Sequence, residues 1–162
     1  MKGALRVLFV GAAAGYLAGQ AMDRVTTWFY GRQSEASKLR EQELLPDGAP
    51  LTAARKLAGL VGIEPTDEQA GQLALGMHQS LGQLYGVVAA ALTRRGVPPL
   101  KAGVASGVAG FVLVDELANS LFFTPPPQAY PVESHLRGVV GHLTLGAVAG
   151  LLLAVARRLR LL

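Results

Sequence analysis

Four stretches of the chain are almost continuously apolar, and each is long enough to cross a bilayer as a helix. A membrane-spanning helix needs about 20 predominantly apolar residues, and such segments occur at 8–27, 70–93, 100–119 and 138–156. None of them alternates apolar and polar positions with the period of two that a half-buried strand shows. The pattern therefore predicts an all-α fold, an integral membrane four-helix bundle that forms a single domain over 1–162.

The polar segment 31–69 separates the first two apolar stretches and is expected to lie outside the membrane. Residues 33–45 combine helix formers with mixed charge and are expected to prolong the first helix into water or along the surface. Residues 51–61 have an apolar face, which predicts an amphipathic segment lying in the membrane interface. Thr66, followed by two acids, is the predicted N-cap of the second long helix. The proline-rich loop 124–131 is expected to be extended and not helical.

Composition and charge agree with a membrane protein. Hydrophobic residues make up 51% of the chain and charged residues 16%, against a usual charged share of about 25%. This profile excludes a disordered chain and a coiled coil, and the absence of cysteine excludes disulfides and thiolate chemistry. The net charge of +4 comes from Lys and Arg that flank apolar segments, so lipid headgroups are the expected partner and nucleic acid is not. The predicted headgroup contacts are Arg94, Arg95, Lys101, Arg157, Arg158 and Arg160.

The distribution of Lys and Arg predicts the orientation in a bacterial inner membrane. Four crossings bring the basic residues near both termini and the basic residues between the second and third segments to one side. Basic residues accumulate on the cytoplasmic side, so both termini are expected in the cytoplasm. Trp28 and Tyr30 then lie at the outer interface as aromatic anchors. A cleavable signal peptide ending near Ala21 is an alternative interpretation of the N-terminus.

An internal repeat relates the first pair of apolar segments to the second pair. A shift of 92 positions places Gly11, Gly15 and Asp23 on Gly103, Gly107 and Asp115. A shift of 64 positions places His78, Gly82 and Gly86 on His142, Gly146 and Gly150. The pattern predicts two helical hairpins of the same orientation, as in parallel repeats of membrane proteins.

Small residues spaced by four form a stripe on each predicted helix. Such stripes let helix backbones approach closely in lipid, and their predicted packing positions are Gly11, Gly15, Gly19, Gly82, Gly86, Gly103, Gly107, Gly146 and Gly150. One ionisable residue continues each stripe, so these side chains are expected to face neighbouring helices. They form a predicted polar layer in the outer half of the membrane, composed of Asp23, His78, Asp115 and His142.

The polar layer admits three interpretations. Its side chains could form hydrogen bonds that lock the helices together, or they could handle protons or ions, because intramembrane ionisable groups are often functional. A metal site built from His78, His142, Asp23 and Asp115 is a weaker alternative, since two imidazoles and two carboxylates suit zinc or iron. The chain contains no recognisable catalytic or nucleotide-binding motif, so no cofactor and no catalytic residue is expected.

The later half of the chain resembles the YagU-like family of bacterial inner-membrane proteins. The resemblance lies in Thr124-Pro-Pro126, Ser134 and Gly141-His-Leu143, which follow a glycine-rich third segment. It implies a bacterial inner-membrane protein and gives weight to His142 and the proline-rich loop, but it assigns them no chemistry.

These observations lead to two functional hypotheses. The first is a non-enzymatic structural or regulatory membrane component that associates with itself or with a larger membrane complex through its glycine-rich helix faces. The second is a proton- or ion-handling membrane protein that uses the layer of Asp and His residues near the outer face.

Overall fold

The computed structural model describes residues 2–162 and is all-helical, which confirms the all-α part of the predicted fold class. Helix accounts for 83% of the chain, and no strand occurs among the described residues. The helices are α1 (Lys2–Tyr30), α2 (Glu35–Leu44), α3 (Gly48–Leu60), α4 (Asp67–Arg94), α5 (Pro99–Gly110), α6 (Asn119–Phe122) and α7 (Val132–Arg158). A π-helical segment, Phe111–Ala118, joins α5 to α6, and a short 3-10 turn, Pro127–Ala129, precedes α7.

Two of the four predicted spans are helices long and apolar enough to cross a membrane. They are Gly3–Tyr30 and Val132–Arg158. The helix α4 has 28 residues, but its glutamines, His78 and Ser80 lower its hydropathy. The third predicted segment, 100–119, is helical throughout but changes type along its length, from α5 through the π segment to the start of α6.

The long helices pack as two close pairs, α1 with α4 and the α5 region with α7, and α1 also packs on α7. Their shared core consists mainly of alanine and glycine, and Leu153 is the largest fully buried side chain. Small side chains bring the helix backbones close together and leave the larger apolar side chains on the outside. The exposed apolar residues include Phe9 and Leu17 on α1 and Leu151 and Val155 on α7.

The segment before α4 differs from the expected extension of the first helix. The chain turns after α1, and α2 is a separate helix whose N-cap Ser34 accepts a hydrogen bond from the Ser37 amide. Gly48, the first residue of α3, has a φ of +74° that allows the turn between α2 and α3. The buried residues of α3 are Ala53, Ala54 and Ala58, while Leu60, just beyond them, is 78% exposed.

Local signals fix the ends of the later helices. Thr66 caps α4 through a capping box with Gln69, as the sequence predicts. Gly96, with a φ of +100°, forms the tight turn between α4 and α5. The proline-rich loop is extended at Pro126 and Tyr130. Its 3-10 turn departs from the expectation of an entirely non-helical loop, because three residues suffice for one such turn.

Candidate functional site

Glycine contacts set the register within each close helix pair. A Cβ on Gly86 would lie 2.2 Å from the backbone oxygen of Gly11, and one on Gly15 would lie 2.2 Å from that of Gly82. The second pair repeats this arrangement: a Cβ on Gly103 would lie 2.2 Å from Gly146 O, and Gly150 packs against Leu100. The helices are therefore in backbone contact, and any larger side chain at these positions would force them apart.

Two further glycines differ in their surroundings. A Cβ on Gly107 would lie 2.3 Å from His142 O, directly beside the polar layer. A Cβ on Gly19 would meet nothing within 4 Å. Gly19 still faces α4, because its Cα lies 4.0 Å from the position of a Cβ on Gly82. It also lines a cavity.

The first member of the polar layer is a pair between α1 and α4. His78 Nε2 lies 2.8 Å from Asp23 Oδ1, so the imidazole donates a hydrogen bond to the carboxylate. The side chains are 39% and 45% exposed, respectively. The glycine contacts one and two turns away position these two residues opposite each other.

The second pair lies between the π segment and α7 and is looser. His142 Nδ1 is 3.7 Å from Asp115 Oδ2, which is an ion-pair distance and too long for a hydrogen bond. The same Nδ1 contacts the backbone oxygen of Gly138 at 3.1 Å. Asp115 accepts no hydrogen bond from residues 2–162. The wider π turn changes the angular spacing of Asp115 relative to α5, and such segments frequently occur at functional sites.

All four residues of the polar layer line one cavity of about 680 Å³. It extends from the buried imidazole of His142 to residues 46–50, which form the turn after α2 and the start of α3. Aromatic rings line it as well, and those of Tyr85 and Phe111 have their centroids 6.1 and 5.7 Å from the His142 ring. The volume lies in the range of small-molecule sites, about 300–1,000 Å³.

A pair that sequence reasoning did not assign, Glu116 with His135, also lines the cavity. His135 Nδ1 lies 2.8 Å from Glu116 Oε1, and its Nε2 lies 3.0 Å from Pro127 O. A backbone carbonyl only accepts, so Nε2 carries a hydrogen. The contact between Nδ1 and the carboxylate is therefore a hydrogen bond between two ionisable side chains. Its members lie 19 positions apart, so no local motif indicates them.

A polar network between α2 and α7 covers the same end of the bundle. Arg137 Nη2 donates to Glu41 Oε2 over 2.7 Å, and Ser134 donates to Glu41 Oε1 over 2.7 Å. Gln33 also donates to Glu41 over 2.7 Å. Burial raises the pKa of Glu41, but these hydrogen bonds outweigh burial and hold the pKa below its ordinary value of 4.5. The network holds α2 across the cavity.

The opposite end of the bundle is basic. The cations predicted to contact headgroups are all exposed there: Arg94, Arg95, Lys101, Arg157, Arg158 and Arg160. The chain has 11 acidic residues, and all of them lie within 23–68 or 115–133, toward the other end of the helices. The bundle therefore has a cationic end without counter-charges and a polar end that contains the cavity.

Among residues 2–162, no group of three or more His, Asp and Glu side chains converges in a geometry that could hold a metal ion. The four residues named for a metal site form two separate pairs, with one imidazole and one carboxylate in each. Comparisons of the chain with protein-family models, curated proteins and solved structures found no match. The resemblance to the YagU-like family remains a prediction from its motifs.

Proposed function

We propose that this protein is a multi-pass inner-membrane protein of four spans with both termini in the cytoplasm. Support comes from two helices long and apolar enough to cross a membrane. Further support comes from large apolar side chains on the outer surface of the bundle, such as Phe9, which is 69% exposed. In water such a surface would be costly, whereas in lipid it is the expected one. The basic end, free of acids, fits the cytoplasmic side.

We also propose that the bundle consists of two duplicated hairpins. The sequence shifts of 92 and 64 positions, which align the two halves of the chain, also map the helix contacts of the first half onto those of the second. Gly11 with Gly86 corresponds to Gly103 with Gly150, and Gly15 with Gly82 corresponds to Gly107 with Gly146. The Asp23–His78 pair corresponds in the same way to Asp115–His142. Pairs of residues that shift together are stronger support for duplication than single glycine identities.

The function that the geometry favours is the handling of protons or cations at the polar layer. One observation carries this proposal: two Asp–His pairs, one from each helix pair, line a single cavity together with the hydrogen-bonded Glu116–His135 pair. Imidazoles change their charge between about pH 5 and 8. A cavity with several such groups takes up and releases protons, and it exchanges them for other cations.

The hypothesis of a structural component that associates through glycine-rich faces receives less support. The glycines at the close contacts pack against each other within one chain. Association with a second copy or with a larger complex would then use the exposed apolar faces. Within residues 2–162, we find no nucleophilic side chain in a catalytic arrangement. The role that we propose is therefore non-enzymatic.

Orientation is testable because the chain has no cysteine. Single cysteines at Glu64 and Arg95, both exposed in the structure, are labelled in intact spheroplasts with a maleimide that does not cross membranes. We expect Glu64→Cys to react in intact cells and Arg95→Cys to react only after permeabilisation. Reaction of both in intact cells, or recovery of the protein in the soluble fraction, would overturn the membrane topology.

Proton handling is testable in proteoliposomes that contain a pH-sensitive dye. We expect the wild type to dissipate a pH gradient faster than empty liposomes and the Asp23→Asn/Asp115→Asn variant to lose about 90% of that rate. Glu64→Gln is the matched control, because this exposed carboxylate lies outside the cavity. A wild type that behaves like empty liposomes contradicts the proposal, and so does a double variant with full activity.

A further inference from the structure

The cavity contains two hydrogen-bond acceptors that the protein itself leaves unused. Asp115 accepts no hydrogen bond from residues 2–162, and its side chain is 40% exposed toward the cavity that it lines. His142 is only 4% exposed, and it lines the same cavity. Its Nε2 makes no hydrogen bond to any described residue, since both of its polar contacts involve Nδ1.

The hydrogen-bond pattern fixes what His142 offers. Nδ1 contacts Gly138 O, and a carbonyl only accepts, so Nδ1 carries the hydrogen. In the neutral imidazole the other nitrogen, Nε2, is then a bare acceptor. An acceptor in a nearly buried position that lacks a donor is unfavourable unless a ligand or water supplies one. The missing partner at this point of the cavity is therefore an N–H or O–H donor.

The net charge of the side chains that line the cavity indicates whether the hydrogen-bond donor is a cation, a neutral molecule or an anion. Three of the five carboxylates at the cavity have their own partners, because Glu41 pairs with Arg137, Asp47 with Arg55 and Glu116 with His135. The remaining two, Asp23 and Asp115, face imidazoles. With these imidazoles neutral, the cavity retains two negative charges, so it favours a cation over a neutral molecule or an anion.

The walls of the cavity favour an organic cation over a metal ion. Tyr85 and Phe111 pack beside His142, and the face of an aromatic ring attracts a cation. Apolar side chains such as Met22 and Leu145 complete the lining. A metal ion requires three or more converging ligands, which residues 2–162 do not provide.

The geometry points to a binding site for a protonated primary amine with an apolar or aromatic body, whose ammonium donates to Asp115 and His142. This inference rests on the proposed function, since it names the cation that the polar layer handles. A free amine and the ammonium of a phosphatidylethanolamine headgroup share this chemistry. The ammonium supplies three donors, and the apolar body fills the part of the cavity lined by aromatic rings.

The test is calorimetric titration of the purified protein in detergent with phenethylammonium, phenethyltrimethylammonium and 2-phenylethanol. The three probes share the same phenethyl body but differ in charge and in N–H donors. We expect phenethylammonium to bind about tenfold or more tightly than either of the other two, because each lacks part of the charged hydrogen bond. Equal affinity for the neutral alcohol would overturn the inference.

Variants test whether the carboxylates that face the cavity bind the ammonium. We expect Asp115→Asn to weaken phenethylammonium binding about tenfold or more, while Glu64→Gln leaves it unchanged. Asp23→Asn provides a second neutralisation on a different helix, and thermal unfolding without ligand shows whether each variant is folded. Full affinity in both folded cavity variants would overturn the inference.

Native mass spectrometry of the purified protein separates the two sources of the ammonium. Phosphatidylethanolamine that stays bound to the wild type and is lost from Asp115→Asn identifies the lipid headgroup. Binding of free phenethylammonium without retained lipid identifies a soluble amine. The outcome is independent of proton flux: flux without amine binding contradicts only this inference, and amine binding without flux contradicts only the proposed function.

Discussion

His78 Nε2 lies 2.8 Å from Asp23 Oδ1, across the interface between α1 and α4. The corresponding atoms in the second helix pair, His142 Nδ1 and Asp115 Oδ2, are 3.7 Å apart. The two pairs occupy related positions, but only the first forms a hydrogen bond. The second leaves its carboxylate free for a ligand.

This difference predicts unequal coupling in double-mutant cycles. For Asp23→Asn with His78→Gln, we expect a coupling free energy of about 0.6 kcal/mol, the typical size for interhelical hydrogen bonds in membranes. For Asp115→Asn with His142→Gln, we expect a coupling near zero, because no direct hydrogen bond is lost. Unfolding in mixed micelles measures both cycles. Stronger coupling in the second pair would contradict the assigned geometry.

The glycine contacts predict that the effect of a Gly→Ala substitution on stability depends strongly on its position along α4. Gly86→Ala places a methyl group 2.2 Å from the backbone of α1, so the helices must separate. We expect a loss of about 1–3 kcal/mol of unfolding free energy. Gly76→Ala lies in the same helix with nothing within 4 Å of its Cβ, and it should stabilise the protein by up to about 1 kcal/mol. Thermal unfolding of the two variants makes the comparison, and equal effects would contradict the backbone contact.

Glu41 predicts an acid-dependent loss of stability. Its pKa is lowered in the folded state, so its contribution is present above the ordinary value of 4.5 and is lost as pH falls through the lower folded-state pKa. We expect Glu41→Gln to cost about 2 kcal/mol at neutral pH and progressively less in acid. Melting curves of both proteins as a function of pH test this. A difference that persists unchanged in strong acid would show that the carboxylate charge is not responsible.

The basic end predicts selective binding of anionic lipid. Arg157 and Arg158 are exposed at a place without acidic residues, and each basic residue near an anionic surface contributes about 1 kcal/mol. We expect Arg157→Gln/Arg158→Gln to retain markedly less phosphatidylglycerol in native mass spectrometry. Arg32→Gln/Arg40→Gln, at the polar end, is the matched control and should retain the wild-type amount. Equal loss from both variants would argue against a specific basic end.

Replacing Arg137 tests the cover over the cavity. Arg137→Gln removes the charged partner of Glu41 and leaves a carboxylate that is only 16% exposed. We expect faster hydrogen exchange in Glu35–Leu44, because the Arg137–Glu41 pair is one of the contacts that hold α2 to α7. The control is Arg40→Gln, which replaces an exposed arginine of α2 itself. Unchanged exchange in the Arg137 variant would show that other contacts hold α2.

The sequence by itself determined the helical class, the basic and polar ends, the N-cap at Thr66 and the identity of the residues in the polar layer. These features depend on local periodicity, on composition and on side-chain chemistry, which a sequence displays directly. It also indicated the repeat, since glycine, Asp and His recur at constant shifts.

Tertiary structure alone decided the rest. The π segment at Phe111–Ala118, the open space at Gly19 and the return of α2 to α7 follow from how the helices pack. The Glu41–Arg137 and Glu116–His135 pairs join residues 96 and 19 positions apart. No local pattern encodes such pairs, because the distance between them is set only when every intervening helix has packed.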